Sequence, residues 1–159
     1  MTEKTPKPVP LSLRRKSSAR LAAVQCLYRL KINDEKVSPT KLFDDYMQQW
    51  YEDKASPNRA MSFGAAPDRT LFLKLAAGVI GNTEEIEATI QGSIGEKWKL
   101  SRMSPVLVAI ISCAIYELKY LSALKPAVIV NEYVTLTGRF FGEQEIGFVN
   151  GLLDKLAKA

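Results

Sequence analysis

Arg14, Arg15, Lys16 and Arg20 fall within seven residues of one another, and what such a cluster can do is hold an anion. Lys and Arg gain most from phosphates, whose counterions they release on binding. The other side chains able to do chemistry form no comparable group. The 159 residues contain no histidine, which removes the most common general base, proton shuttle and metal ligand near neutral pH. Ser-His-Asp and Cys-His catalysis and the common zinc sites go with it. Asp44-Asp45 and Glu84-Glu85-Glu87 are the acid groupings, but adjacent acids on a helix point in different directions and read as a solvated face. Gly78-Val79-Ile80-Gly81-Asn82-Thr83 lacks the preceding strand and the lysine of a phosphate loop, and reads as a pair of closely packing glycines. Cys26 and Cys113 sit singly in apolar stretches without Cys-x-x-Cys spacing. They read as buried thiols in a reducing compartment, although spacing alone leaves a disulfide between them open. No coherent active site emerges, no metal or cofactor is expected, and binding is the better hypothesis than catalysis.

A composition of 47% hydrophobic and 25% charged residues suits one compact domain with a sizeable core. The net charge of +5 is unevenly placed. Residues 1–31 hold eight basic side chains against the single acid Glu3, a local charge of +7, while the other 128 residues carry −2. That asymmetry points to an anionic partner met near the N-terminus; the plainer reading is a basic tail that keeps the protein in solution. The longest uncharged apolar run, Pro105 to Tyr116, has 12 residues, against roughly 20 for a bilayer span. No apolar segment with a small-residue cleavage site follows the first basic residues, so a cytoplasmic protein is expected.

The elements that must carry these residues read as helices. Residues 1–13, with three prolines, are expected to form a loose leader before a single domain over 14–159. A first helix is expected from Ser17 or Ser18 to about Lys31, with Leu21, Val24, Leu27 and Tyr28 as its buried stripe and Arg15, Lys16, Arg20 and Gln25 beside it. Ser38-Pro39 starts a second, capped by serine with proline at the first helical position. Residues 52–67 read as a loop, long enough to be mobile. Asp68 caps one long helix or two across Gly78 and Gly81. Glu96 to Leu100 reads as a connector, and Ser104-Pro105 opens a helix apolar on nearly all sides, which belongs at the centre of the fold or faces a partner. Lys125-Pro126 opens another to about Phe140, closed by Gly142, and Glu145 to Ala157 forms the last. Val128-Ile129-Val130 alone hints at a strand. The expected fold class is all-α, a compact bundle of six to seven helices.

Three stretches together carry a resemblance. The first runs from Arg14 through Ala19-Arg20 and Ala23-Val24-Gln25 to Leu27-Tyr28. The second joins Ala114-Ile115-Tyr116-Glu117-Leu118 to Pro126 and Val130-Asn131-Glu132, and the third joins Phe140-Phe141-Gly142 to Phe148-Val149-Asn150-Gly151-Leu152-Leu153-Asp154. In this order they resemble the bacterial transcription antitermination protein family NusB, from about Arg14 to the C-terminus, outside the leader and the 52–67 loop. The resemblance implies an all-α RNA-binding protein that is not an enzyme. It further implies that the chain pairs with NusE, a small-subunit ribosomal protein, to hold the single-stranded boxA element of rRNA leader transcripts. With other Nus factors and RNA polymerase it would support processive transcription of rRNA operons.

Residue by residue, the resemblance makes Arg14, Arg15, Lys16 and Arg20 the RNA-phosphate candidates and gives Gln25 a hydrogen bond to RNA. Phe141, Gly142, Phe148 and Asn150 match the C-terminal motif, where a turn before a helix offers an amide end to phosphate and a ring to an unstacked base. For Phe148, core packing stands beside stacking. Tyr28 belongs to the core stripe or to the NusE edge, and Asn131 and Glu132 are expected to cap or brace helices. The chain departs from the family on the helix after Pro105, where Leu107, Val108 and Ser112 replace charged residues. That change suggests a more hydrophobic partner contact at Leu107 and Val108, or a homodimer. Two other functions stay open: a relative of the rRNA cytosine methyltransferases that carry a NusB-like domain, against which the lack of a following dinucleotide-type sheet counts, and a protein adaptor that never touches RNA.

Overall fold

The computed structural model describes residues 8–52, 63–95 and 99–159 and contains, among these, seven α-helices, one 3-10 turn and no strand. The helices are α1 (Leu11–Asn33), α2 (Pro39–Glu52), α3 (Arg69–Gly81), α4 (Thr83–Ile94), α5 (Pro105–Tyr120), α6 (Pro126–Thr137) and α7 (Glu143–Ala157), with the 3-10 turn Leu100–Arg102 between α4 and α5. The all-α expectation therefore holds. Residues 1–7, which include most of the expected leader, and 53–62, most of the expected 52–67 loop, lie outside the described residues.

Local chemistry sets several of the boundaries. The Lys41 amide donates to Ser38 Oγ (3.2 Å) and the Leu71 amide to Asp68 Oδ1 (2.9 Å), so both expected caps are formed, and Pro39, Pro105 and Pro126 each open a helix. Other boundaries differ from the sequence reading. Helix α1 begins six residues before Ser17, directly after Pro10, whose carbonyl accepts from the amides of Leu13 and Arg14. Residues 11–13 are thus helix rather than leader. Ser17 and Ser18 are not caps, because both are buried and their hydroxyls serve neighbouring segments. The segment after Pro67 is two helices, α3 and α4, broken at Asn82. Val128-Ile129-Val130 lies in α6 and makes no strand. Gly142 does not close α6, which ends at Thr137 with Gly138 as its C-cap; Gly142 instead stands at the start of α7.

The core forms around the crossing of α1 with α5, and α3 packs against both. Every residue from Ser17 to Val24 is buried, as is every residue from Ala109 to Ile115, so each helix is enclosed on all sides for about two turns. Small side chains permit this close approach: Ser17, Ser18, Ala19, Ala22 and Ala23 on α1, and Ala109, Ser112, Cys113 and Ala114 on α5. Gly78 of α3 belongs to the same design, since a Cβ there would fall 2.0 Å from the Tyr116 ring. Gly81 meets nothing, so the close-packing reading holds for the first glycine of that pair and not the second. Helix α6 packs on α5 and carries α7, while α2 covers α3.

Arg20 sits inside the buried part of α1 with 3% exposure. Its guanidinium donates from Nε and Nη2 to the two carboxylate oxygens of Glu117, both at 2.8 Å. Tyr133 Oη donates to Glu117 Oε1 at 2.7 Å, Arg20 Nη1 lies 3.4 Å from Glu132, and Ser17 Oγ donates to Glu132 at 2.9 Å. Burial alone opposes the charge on Arg20, but the Glu117 hydrogen bonds and nearby negative charge raise its pKa above the ordinary arginine value. Burial, reinforced by the Glu117 charge, also raises the Tyr133 hydroxyl, which stays a neutral donor. Helices α1, α5 and α6 are joined at one point.

Arg20→Met, which strands the Glu117 carboxylate in the core, is expected to lower unfolding free energy by about 3–5 kcal/mol in a urea titration. Adding Glu117→Leu and Tyr133→Phe, which removes the orphaned groups, is expected to restore most of the loss. A single variant as stable as the wild type would show that the pair is not desolvated.

Candidate nucleic-acid interface

The first turns of α1 project beyond the α1–α5 crossing, and there Arg15 is exposed while Arg14 and Lys16 are half-buried. The two arginines are held by neutral acceptors. Arg14 donates from Nε to the Val9 carbonyl (3.2 Å) and from Nη1 to the Gly64 carbonyl (3.0 Å), and Arg15 donates from Nε to the Ala66 carbonyl (3.4 Å). Among the described residues, none of Arg14, Arg15 and Lys16 forms an ion pair with a carboxylate. The positive charge of Arg14 and Arg15 is therefore held in place without being neutralised.

Two of these acceptors, the Gly64 and Ala66 carbonyls, belong to residues 63–68, which cross the start of α1 as a strap. The Phe63 amide donates to Ser18 Oγ (3.4 Å) and the Asp68 amide to the Arg15 carbonyl (3.0 Å), so the strap is anchored at both ends. Its described part is tied to the domain rather than loose, and Ala65 and Pro67 are buried. On the other side of the strap, the Arg139 guanidinium stacks 4.2 Å from the centroid of the Phe63 ring. This brings a basic side chain from the α6–α7 turn onto the surface that carries Arg14 and Arg15. Sequence reasoning missed Arg139; an arginine directly before the Phe140-Phe141-Gly142 motif was the available signal.

Arg20 departs from the sequence reading. Grouped with Arg14 and Arg15 by position, it points into the core and commits its donors to Glu117 and Glu132, so it presents nothing to a phosphate. Glu132 braces α1 as expected, and Asn131 is exposed. Gln25 is half-buried and accepts from Tyr46 Oη (3.0 Å) at the edge of a 520 Å³ cleft between α1 and α2, lined also by Arg29, Asp45, Gln48 and Gln49. Tyr28, placed on the core stripe from sequence, is 37% exposed, while Leu21 and Val24 are buried.

At the other motif, Phe141 and Phe148 are half-buried and Asn150 is exposed on α7. The Phe140 and Phe141 rings lie 6.5 Å apart. Gly142 begins α7, but Glu143 and Glu145 occupy the first turn, and their charges already complement the amide end that had been assigned to phosphate. Aromatic contact is the stronger asset of this end.

A second, larger groove of 1090 Å³ opens between α1, the end of α3, α4, the 3-10 turn and α5. Leu27, Leu30, Val79, Met103, Val108 and Ser112 are among its walls. Val108 is half-buried there, whereas Leu107, expected with it as a contact, is 8% exposed and packs inward. The acid groups behave as surface charges: Asp45 pairs with Arg29 and Lys41, and Glu85 with Lys119. Those partners hold both carboxyls below the usual carboxylate range. Cys26 and Cys113 are separate, buried free thiols, and burial pushes Cys26 up to about 12, which leaves it without nucleophilic character. Among the described residues no helix is long and apolar enough to cross a membrane.

Comparison with known proteins finds relatives over most of the chain. The transcription antitermination protein NusB of Caulobacter vibrioides is 34% identical over 90% of this chain and 92% of its own length, and that of Rhodopseudomonas palustris strain HaA2 is 30% identical over 96% and 88%. In structure, T. maritima NusB superposes with a TM-score of 0.68 at 25% identity, covering 98% of this chain and 93% of its own. A chain from a crystal structure of the antitermination factors NusB and NusE in complex with dsRNA reaches 0.70 at 23% identity, over 92% and 98%. The NusB family model matches residues 17–158, the whole bundle from the buried serines of α1 to the end of α7, and the chain belongs to the NusB family.

Proposed function

We propose that this protein is a transcription antitermination factor that, together with NusE, holds the boxA element of rRNA leader transcripts and supports processive transcription of rRNA operons in the cytoplasm. The family consists of antitermination factors rather than enzymes, and the curated relatives carry that function in their names. The observation that carries the RNA half of the reading is the pair Arg14 and Arg15, aimed by carbonyls and left with full charge at the start of α1. Phosphates would meet Arg14, Arg15 and Lys16, while Gln25, Phe141, Phe148 and Asn150 supply hydrogen bonds and ring faces to unstacked bases.

NusE is assigned to the groove beside α5. The structural relative bound to NusE and dsRNA supports a two-partner arrangement, and the groove at Val108 is the large apolar opening away from the start of α1. Leu27 lines its wall, and the exposed Tyr28 follows Leu27 on α1 as the candidate for the NusE edge. Leu107 is a core residue and does not line the groove. The RNA polymerase complex and the other Nus factors would meet the assembled pair.

Two measurements test this reading. In fluorescence anisotropy with a boxA RNA and a scrambled control, with and without NusE, the protein is expected to prefer boxA. For Arg14→Ala/Arg15→Ala the slope of log affinity against log salt is expected to be shallower by about 1.4, two phosphates at roughly 0.7 each on a single strand. Equal binding to both RNAs in every condition, or an unchanged slope, would refute the RNA assignment. For the second partner, Val108→Asp is expected to weaken NusE binding by about fivefold or more while leaving boxA salt dependence intact; full-strength binding would move NusE elsewhere. Sedimentation of the protein alone decides whether the same groove joins two copies, and a strictly monomeric species at high concentration removes the homodimer.

A further inference from the structure

We infer that the strap of residues 63–68 is a positioning device for the RNA-binding arginines, and that Gly64 is its critical residue. The inference rests on the RNA reading of the α1 start proposed above, and the geometry adds three independent supports.

First, the strap orients with carbonyls. A carboxylate facing Arg14 would hold it equally well but cancel the charge a phosphate needs; the Gly64 carbonyl does not. The hydrogen bonds of Arg14 engage Nε and Nη1, and the guanidinium carries five N–H donors, so Nη2 remains for a phosphate. Second, Gly64 has φ +70, a left-handed conformation that side chains rarely adopt, and a Cβ there would stand 3.2 Å from Arg14 Nη1. Glycine is the residue that brings this carbonyl to this arginine without touching it. Third, the strap is tied to rigid elements: Phe63 to Ser18 inside α1, and Asp68 both to the Arg15 carbonyl and, through Leu71, to the first turn of α3. An arginine held this way loses less rotamer freedom when it takes a phosphate than one waving in solvent.

The test is a double-mutant cycle read by anisotropy with boxA RNA and NusE. Gly64→Ala alone is expected to weaken binding by roughly three- to tenfold, the scale of one misplaced charged hydrogen bond. In an Arg14→Ala background the same change is expected to cost almost nothing, because it acts through Arg14. Gly64→Asn, whose side chain tolerates positive φ but still places a Cβ against Arg14, is expected to repeat the result without straining the strap. Wild-type affinity in both Gly64 variants, or an equal loss with and without Arg14, overturns the positioning role while leaving the RNA assignment standing. An Arg14→Ala protein that binds boxA RNA at full strength overturns both.

Discussion

A full positive charge in the middle of the core is the constraint around which this molecule is organised. Arg20 occupies a stretch of α1 with no exposed face, so the charge must be met inside the protein, and Glu117 meets it with two hydrogen bonds at 2.8 Å. The remaining groups follow from that pair. Tyr133 turns its hydroxyl toward Glu117, and Glu132, held by Ser17, lies near the last guanidinium nitrogen. Because the interaction is directional and every partner is on a different helix from Arg20, it fixes the rotation of α1 about its own axis against α5 and α6. That rotation decides where the side chains one to two turns earlier, Arg14, Arg15 and Lys16, leave the surface.

The same helix thus uses arginine in two opposite ways. At position 20 the charge is neutralised, and its work is to align helices. At positions 14 and 15 it is preserved, because the acceptors are main-chain carbonyls, two of them from the strap. Charge-rich binding surfaces face a general conflict: long basic side chains need holding to bind well, yet the groups that hold best are acids. Neutral acceptors on a strap anchored to α1 and α3 resolve it, and Arg139 stacked on Phe63 joins the same surface through a ring rather than a carboxylate.

How much of this can be read from sequence depends on whether the cause is local. Ser38, Asp68 and the helix-opening prolines announce their helices because cap and helix lie within a few residues of each other. The central place of α5 is legible from its unbroken apolar run. The start of α1 is misread because Ser17 and Ser18 look like caps, while their hydroxyls are spent on Glu132 and the Phe63 amide, 115 and 45 residues away. Arg20 is misread for the same reason: its partner is 97 residues distant, and four basic residues in seven look like one surface patch. Val128-Ile129-Val130 suggests a strand by composition, but Pro126 has already set a helix that packs on α5. Gly64 carries no signal of its own, and Arg139 only its place before the Phe140-Phe141-Gly142 motif, since what they do exists only once the strap lies across α1.

Whether neighbouring arginines of one helix divide between core and RNA can be read from their side-chain Nε–Hε resonances in a 15N-edited NMR titration with boxA RNA. The Arg14 and Arg15 signals are expected to shift and saturate with the RNA while the Arg20 signal, held by Glu117, stays where it is. An Arg20 signal that moves with bound RNA while those of Arg14 and Arg15 remain unchanged would contradict it.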